Sequence, residues 1–225
     1  MQKLRILIVG GGIAGAAAAA FLGRDGHAVT VIERGEGIRS SGSPVDVRGI
    51  GLEASEALGI TARLRERDTG ARTLALIDRA GAAFTTIGMR TADEDIEIAR
   101  RDLSAVLLQT AGEHAEIRYG ETVAALALED RGVVVTRHGG ASERFDLVVG
   151  ADGQHSATRR ELWPVPERGA DGSLGLAIAT VTMPGLQVDR ERIEMRNEPG
   201  RALTLHPAGG APAAAFLFRH CAPLP

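Results

Sequence analysis

The chain has 225 residues, of which 44% are hydrophobic and 24% are charged, and its formal net charge is −3. This composition predicts one large or two small globular domains and gives no support to nucleic-acid or anionic-membrane binding. The single cysteine, Cys221, excludes an internal disulfide and a cysteine-based metal site, which suits a cytoplasmic protein.

Residues 4–34 predict a strand, a glycine-rich turn, an alanine-rich helix and a second strand that ends at Glu33. The turn reads Gly10-Gly11-Gly12-Ile13-Ala14-Gly15. Its first glycine makes the bend, its second lets the backbone approach a pyrophosphate, and its third lets the helix pack closely on the strands. The helix N-terminus offers free N–H groups and a positive dipole end to that pyrophosphate. Because Glu33 can accept both hydroxyls of an adenosine ribose, this stretch predicts a dinucleotide site.

The same stretch has a second interpretation, as a signal peptide or a marginal membrane span. Lys3 and Arg5 precede an apolar run rich in small residues, as in such segments. Three consecutive glycines in the middle of the run fit this interpretation poorly. The polar residues 24–27 lead directly into another strand, so we expect neither secretion nor stable membrane insertion.

The rest of the chain predicts further strands and helices in an order that is not purely βαβ. Strands at 74–77 and 82–87 form a hairpin, which suggests that a second sheet is fed from inside the first domain. Apolar spacing predicts an amphipathic helix over 102–115. The other predicted elements are an extended piece at 44–49, helices at 52–58, 60–67 and 156–163, and strands at 117–119, 123–128, 133–136, 145–149, 174–183, 192–196, 202–205 and 213–219.

Arg100 and Arg101 lie just before the predicted helix that begins at Asp102, where the helix dipole disfavours cations. One interpretation is that an arginine faces a bound phosphate. The alternative is that both arginines are solvated and offset by Asp102.

A second candidate is Asp152-Gly153, which follows the predicted strand at 145–149. Asp-Gly forms ordinary turns readily, but a turn at the carboxyl edge of an open α/β sheet is also where ligands bind. Asp46 and Arg48 face either a cofactor or water, and the residues do not separate these options. The six histidines do not cluster at ligand spacing, so no metal site is predicted.

Four motifs together resemble the class A flavoprotein monooxygenases, the para-hydroxybenzoate hydroxylase-like family, and within it the tetracycline-inactivating branch. They are Gly10-x-Gly12-x-x-Gly15 with Glu33-Arg34; residues 42–49; Arg100-x-x-Leu103; and residues 146–153 followed by Ser156 and Arg159. The resemblance implies a Rossmann-like FAD-binding domain from residues 1–71 and 96–168. An interleaved antiparallel-sheet substrate domain would come from residues 72–95 and 169–225.

The resemblance also implies roles for particular residues. The FAD pyrophosphate would lie on the turn and the first helical residues, the adenosine ribose on Glu33, and the adenine beside Arg34. Arg100 would approach the phosphates, and Asp152 and Gly153 would contact FAD. The implied cofactor-binding set is Gly10, Gly12, Ile13, Ala14, Gly15, Glu33, Arg34, Arg100, Asp152 and Gly153. No catalytic acid–base residue is assigned, because the cofactor carries the chemistry.

The implied activity is hydroxylation of an aromatic or polyketide-like small molecule with O2 and either NADPH or NADH. Family members are longer and carry a third motif, Gly-Asp followed by a helix, which has no equivalent here. We therefore expect the C-terminal part of the fold to be missing, and a further segment or a partner chain to be needed. The alternatives are a flavin-dependent oxidoreductase or dehydrogenase without oxygen insertion, and an inactive FAD-binding fragment.

Overall fold

The structure is a computed structural model that describes residues 2–38, 44–90, 92–162, 175–207 and 212–219. Its elements are, in chain order, β1 (Arg5–Val9), α1 (Ile13–Arg24), β2 (Ala28–Glu33), β3 (Val45–Val47), α2 (Ile50–Leu58), α3 (Thr61–Arg65), β4 (Thr73–Ile77), β5 (Ala83–Gly88), β6 (Ile96–Ile98), α4 (Arg100–Gly112), β7 (Ala115–Tyr119), β8 (Val123–Glu129), β9 (Gly132–Arg137), β10 (Ser142–Phe145), β11 (Leu147–Gly150), α5 (Ala157–Leu162), β12 (Leu176–Thr182), β13 (Arg192–Glu198), β14 (Arg201–His206) and β15 (Ala213–Arg219). The predicted α/β class is confirmed.

The chain divides into two compact units, each built from two separate stretches. The first unit comprises Met1–Arg39 and Ser104–Gly172, and the second comprises Ser40–Leu103 and Ser173–Pro225. The functional division into an FAD-binding and a substrate-binding domain, with the limits given above, remains a prediction.

The first unit is organised around a parallel sheet in the order β11-β1-β2-β7. Residues 6–9 of β1 are all buried, as expected for a parallel strand that is covered on both faces. The small residues Ala16, Ala19 and Ala20 are fully buried in α1, which lets this helix lie close to β1 and β2. Because the strands are parallel, the loops that follow β1, β2 and β11 meet at one edge of the sheet.

An antiparallel sheet in the order β10-β9-β8 completes the first unit. Side chains from both sheets share one buried apolar cluster, formed by Leu7, Val9, Ile32, Val123, Val135 and Phe145. This cluster fixes the parallel sheet, and therefore the loops at its carboxyl edge.

The single strand predicted over 145–149 is wrong, because the chain changes sheets at Asp146. β10 pairs antiparallel with β9, whereas β11 pairs parallel with β1. The carboxylate of Asp146 accepts a hydrogen bond from the N–H of Arg5 at 2.6 Å, and its own N–H donates to the carbonyl of Arg5 at 2.9 Å. These two bonds hold the crossing point against the start of β1.

The second unit contains a sheet in the order β12-β15-β14-β13-β4-β5. The predicted hairpin of β4 and β5 is confirmed. β4 joins β13 in parallel, with Leu74 opposite Ile193, so the sheet predicted as antiparallel includes one parallel pair. The strands of 73–88 and 176–219 therefore belong to one sheet.

A short antiparallel ladder of β3 and β6 also belongs to the second unit. β6 was not predicted, because three residues give too little alternation to be recognised. α4 begins at Arg100 rather than at Asp102, so Arg100 and Arg101 are helical residues and do not precede the helix.

Some predictions fall outside the described residues, namely those on Gly42, Ser43, Trp163 and Cys221. None of the described helices combines the length and the apolar character that a membrane span requires.

Candidate functional site

The N-terminus of α1 is open to an anion. Gly12 is the N-cap residue, no side chain caps the helix, and the first turn carries no acidic residue. The carbonyl of Gly12 accepts the N–H of Ala16 at 2.9 Å, whereas the N–H groups of Ile13 and Ala14 lie in the first turn, where a helix leaves its donors free. A methyl group added to Gly12 would meet no described atom within 4 Å. This end of the helix can therefore receive a negatively charged group.

The glycine turn touches the Asp-Gly corner that follows β11. Gly10 has a φ of +106°, which favours glycine, and a methyl group there would lie 2.5 Å from the carbonyl oxygen of Ala151. The N–H of Ala151 donates to the carbonyl of Val9 at 2.8 Å. Gly15 packs against the carbonyl of Gly10. Because Gly15 has no side chain, α1 can lie close to the turn. Two motifs far apart in the sequence therefore form one backbone surface.

The carboxylate of Glu33 lies at the end of β2 and faces the glycine turn. Its Oε2 accepts the N–H of Gly11 at 2.8 Å, and its Oε1 accepts the N–H of Gly35 at 2.7 Å. Each carboxylate oxygen can accept a second hydrogen bond. Glu33 is thus fixed in orientation and keeps acceptor capacity for hydroxyl groups.

Asp152 organises the corner through its own carboxylate. It accepts hydrogen bonds from Ser156 Oγ at 2.5 Å, from the N–H of Thr158 at 3.0 Å and from Thr158 Oγ1 at 3.1 Å. Burial is the largest single influence on the pKa of Asp152 and raises it, but the hydrogen bonds from Ser156, from Thr158 and from the backbone of Asp152 itself together outweigh burial and leave the pKa below its ordinary value. The carboxylate is therefore ionised near neutral pH and anchors the start of α5.

A cavity of about 240 Å³ lies at this edge of the sheet, within the first unit. The structure brings six of the predicted residues to its wall: Gly10, Gly12, Glu33, Arg34, Asp152 and Gly153. Ile13, Ala14 and Gly15 belong to the first turn of α1 and do not line the cavity, and Arg100 is the first residue of α4 in the second unit.

Sequence reasoning missed four polar residues of the cavity wall. They are Glu121, Thr122, His155 and Arg160. Glu121 and Thr122 follow β7, the next parallel strand, so their position at a carboxyl edge could have identified them. His155 and Arg160 carried no signal, because only the fold of the corner, where Arg160 Nη1 donates to the carbonyl of His155 at 3.1 Å, directs this segment to the cavity. In the described part of the chain, no group of three or more His, Cys, Asp or Glu residues could hold a metal ion.

A parallel sheet with a glycine turn, an acid after its second strand and an Asp-Gly corner beside the turn is a dinucleotide-binding fold of the flavoprotein type. Residues 3–220 match the family model described as FAD binding domain, and the chain belongs to this family.

Several known proteins are similar to this chain. An uncharacterised protein of Mycobacterium tuberculosis is 35% identical over 191 residues, which are 82% of this chain and 51% of that protein. The FAD-dependent monooxygenase asL6 of Sarocladium schorii is 32% identical over 213 residues, which are 86% of this chain and 50% of that protein. The crystal structure of the tetracycline destructase Tet(55) is 27% identical with a TM-score of 0.80, covering 98% of this chain and 57% of that chain.

These similarities confirm the predicted resemblance to the class A flavoprotein monooxygenases. The chain spans about half the length of the curated relatives that it matches.

Proposed function

We propose that this chain binds FAD, with the adenosine and pyrophosphate end in the cavity of the first unit. The pyrophosphate would lie on Gly10, Gly12 and the N-terminus of α1. The ribose hydroxyls would donate to Glu33, and the adenine would lie beside Arg34. Asp152 and Gly153, which line the same cavity, would also contact the cofactor, and Arg100 would approach its phosphates.

One observation carries this proposal: Glu33 and Asp152 line the same cavity. The contact between Gly10 and Ala151 brings the two motifs together. The residues fit the cofactor, because Gly12 leaves open space before an uncapped helix and Glu33 is held by backbone N–H groups with acceptor capacity left. A single extended ligand with an adenosine and a pyrophosphate would satisfy all of these groups.

The activity that we propose is oxygenation of an aromatic or polyketide-like small molecule, with NADPH or NADH as the reductant. When bound, FAD supplies the redox chemistry and the protein positions and shields it. The names of the flavin-dependent monooxygenases and the tetracycline destructase support this class of reaction. The sheet of the second unit is the proposed substrate-binding part, and a cytoplasmic location suits the single cysteine.

Because the chain covers only about half of these relatives, the activity of a whole enzyme is itself part of the proposal. The same observation favours a second candidate: an FAD-binding fragment that turns over only with a further segment or a partner chain. The two candidates share the cofactor site and differ in whether this chain alone catalyses.

The first experiment purifies the 225-residue chain and measures bound flavin by absorbance, then titrates the flavin-free protein with FAD, FMN and ADP. We expect FAD and ADP to bind, because ADP carries the adenosine and pyrophosphate that the cavity fits, and FMN, which lacks the adenosine, to bind much more weakly. Equal affinity for FMN and FAD, or no binding of ADP, would contradict the proposed site.

The second experiment follows NADPH and NADH oxidation against a panel of phenols and polyketides under isotopically labelled O2. Label in the product indicates monooxygenation, whereas an oxidised product without label indicates a dehydrogenase. FAD binding without any turnover supports the fragment interpretation. Adding the other half of a relative as a separate chain would then test whether turnover appears.

A further inference from the structure

Glu97 is a buried carboxyl group in the β3–β6 ladder of the second unit. It lies between Ile96 and Ile98, which are fully buried, and is only 5% exposed itself. Its carbonyl accepts the N–H of Thr69 at 2.8 Å, so β6 is held on the side opposite β3 as well. Neither carboxyl oxygen has a hydrogen-bond partner among the described residues. An ionised carboxylate without partners is costly to bury.

Arg90, the cation near Glu97, is paired with another carboxylate, that of Asp68. Arg90 Nη2 contacts both carboxylate oxygens of Asp68, at 2.7 and 2.9 Å. Its Nη1 donates to the carbonyl of Asp95 at 2.8 Å and its Nε to that of Ala71 at 3.3 Å. Every nitrogen of this guanidinium is therefore engaged, and Arg90 neutralises Asp68 rather than Glu97.

The other groups around Glu97 add negative charge. Asp46 lies directly opposite on β3, and Asp68 forms a bridge with the neighbouring Ile98. Burial first, and then repulsion from Asp46 and Asp68, raise the pKa of Glu97 to about 7. The Thr69 side chain and Arg90 lower the pKa without offsetting this rise, and no hydrogen bond joins the Thr69 hydroxyl to the carboxyl group.

The remaining charges near the ladder do not relieve the repulsion. Arg48 lies 4.0 Å from Asp46, and both side chains are well exposed to solvent, so this pair is weak. α3, which also packs against β6, buries Leu64, whereas its arginines Arg63 and Arg65 are not buried.

We propose that Glu97 is a proton-binding site that holds the β3–β6 ladder closed, and that losing this proton to solvent loosens the ladder. With Glu97 neutral, this part of the fold holds Asp46, Asp68, which is paired with Arg90, and the buried Asp95, whose carboxylate accepts the N–H of Ala92 at 3.1 Å. Ionisation of Glu97 adds a carboxylate that has no hydrogen-bond partner among the described residues. Because β6 leads directly into α4, the loosening also reaches the start of that helix at Arg100.

The direction of the pH effect follows from the shift. The pKa of Glu97 is higher in the folded chain than its ordinary value of 4.5, so the folded state binds this proton more tightly than the unfolded state. The stabilisation that this proton provides is complete below about pH 4.5 and is lost as the pH rises through about 7.

Hydrogen exchange of the 225-residue chain between about pH 5 and pH 8 tests the proposal without any flavin. After correction for the intrinsic rate, protection of the amides of residues 45–47 and 96–98 should fall as pH rises, and the melting temperature should fall with it. Glu97→Gln, which resembles the neutral acid, should flatten both profiles. Glu191→Gln removes a well-exposed carboxylate of the same unit and should follow the unchanged chain. If Glu97→Gln keeps the full pH dependence, the proposal is overturned.

A second variant keeps the test decisive if Glu97→Gln does not fold. Asp46→Asn removes the neighbouring charge that most raises the pKa of Glu97, so the transition should move to lower pH. An Asp46→Asn transition at the same pH as in the unchanged chain would equally overturn the proposal. Flavin binding plays no part in either readout, so these outcomes are independent of the proposed function.

Discussion

At the residue scale, three glycines of the turn between β1 and α1 have different roles. Gly10 needs a positive φ and contacts the backbone of Ala151, and Gly15 lets α1 approach the carbonyl of Gly10. Gly12 has neither requirement: its φ of −73° suits any residue and the space beside it is open. Folding explains the first two glycines, and a ligand best explains the third.

This difference predicts opposite outcomes for two single methyl groups. Gly12→Ala should change the free energy of unfolding by about 0.5 kcal/mol or less, because no described atom lies in its way. It should still weaken FAD and ADP binding, because the methyl group occupies the approach to the helix N-terminus. Urea denaturation and flavin fluorescence titration measure the two effects separately.

Gly15→Ala is the matched control. Its methyl group would strike the carbonyl of Gly10, so we expect a loss of about 1–3 kcal/mol in unfolding free energy together with weaker binding. Equal stability losses for Gly12→Ala and Gly15→Ala would contradict the open space assigned to Gly12.

Glu33→Gln should weaken adenosine recognition. A glutamine has one acceptor oxygen, so the N–H of either Gly11 or Gly35 loses its partner and one ribose hydroxyl loses an acceptor. We expect FAD and ADP affinity to fall by about 1–3 kcal/mol in binding free energy. FMN is the internal control because it has no adenosine. An equal loss of FMN affinity would show that Glu33 acts on the fold and not on the ribose.

At the element scale, the corner from Asp152 to α5 depends on one ionised carboxylate. Burial raises the pKa of Asp152, but the hydrogen bonds from Ser156, from Thr158 and from its own backbone outweigh burial and hold the pKa below its ordinary value. The stabilisation is therefore present above that ordinary value and is lost as pH falls below it. This acid-sensitive behaviour is opposite in sign to that of Glu97.

Asp152→Asn should remove this acid sensitivity. In the unchanged chain, hydrogen-exchange protection of α5 and ADP affinity should both fall as the solution is acidified below about pH 4. In Asp152→Asn, both should be lower at neutral pH and change little with acid. Asp130→Asn, in an exposed turn, is the control. An acid transition that survives in Asp152→Asn would assign it to another carboxylate.

Local signals predicted the elements whose evidence is local. The strand, turn, helix and strand of residues 5–33 were predictable because the glycine spacing, the alanine face and the buried strands agree over a short stretch. The change of sheets at Asp146 was not predictable from the sequence, because Asp146 is held there by a hydrogen bond with Arg5, which is distant in sequence. β6 was missed because a three-residue strand is defined by its neighbours β3 and Thr69 and not by its own pattern.

The candidate site was predictable to the same extent. Glu33 and Asp152 each follow a recognisable strand, and parallel strands bring their carboxyl ends to one edge. His155 and Arg160 reach the cavity only through the hydrogen bonds that fold the corner. Residues placed by a turn of that kind have no periodicity to reveal them.

At the scale of the whole molecule, the chain forms two units, and neither is continuous in sequence. Long-range pairing such as that of Leu74 with Ile193 creates the larger sheet, and no local pattern specifies its register. In the sheet that the described residues form, β5 and β12 are the two outer strands. Their sequences, AFTTIG and LAIATVT, contain no charged residue. Charged residues are a usual protection of a sheet edge against pairing with another chain, and both strands lack them.

These uncharged edges predict self-association of the chain by strand pairing. Phe84 on β5 and Ile178 on β12 are 69% and 66% exposed, so lysine at either position should disturb no core and should oppose edge pairing by charge repulsion. We expect Phe84→Lys and Ile178→Lys each to lower the average mass in light scattering at high protein concentration and to leave ADP affinity unchanged. Ile50→Lys adds the same charge at an exposed position in α2 and should have little effect. If Ile50→Lys lowers the mass as much as the edge variants do, net charge controls the association and the edges do not.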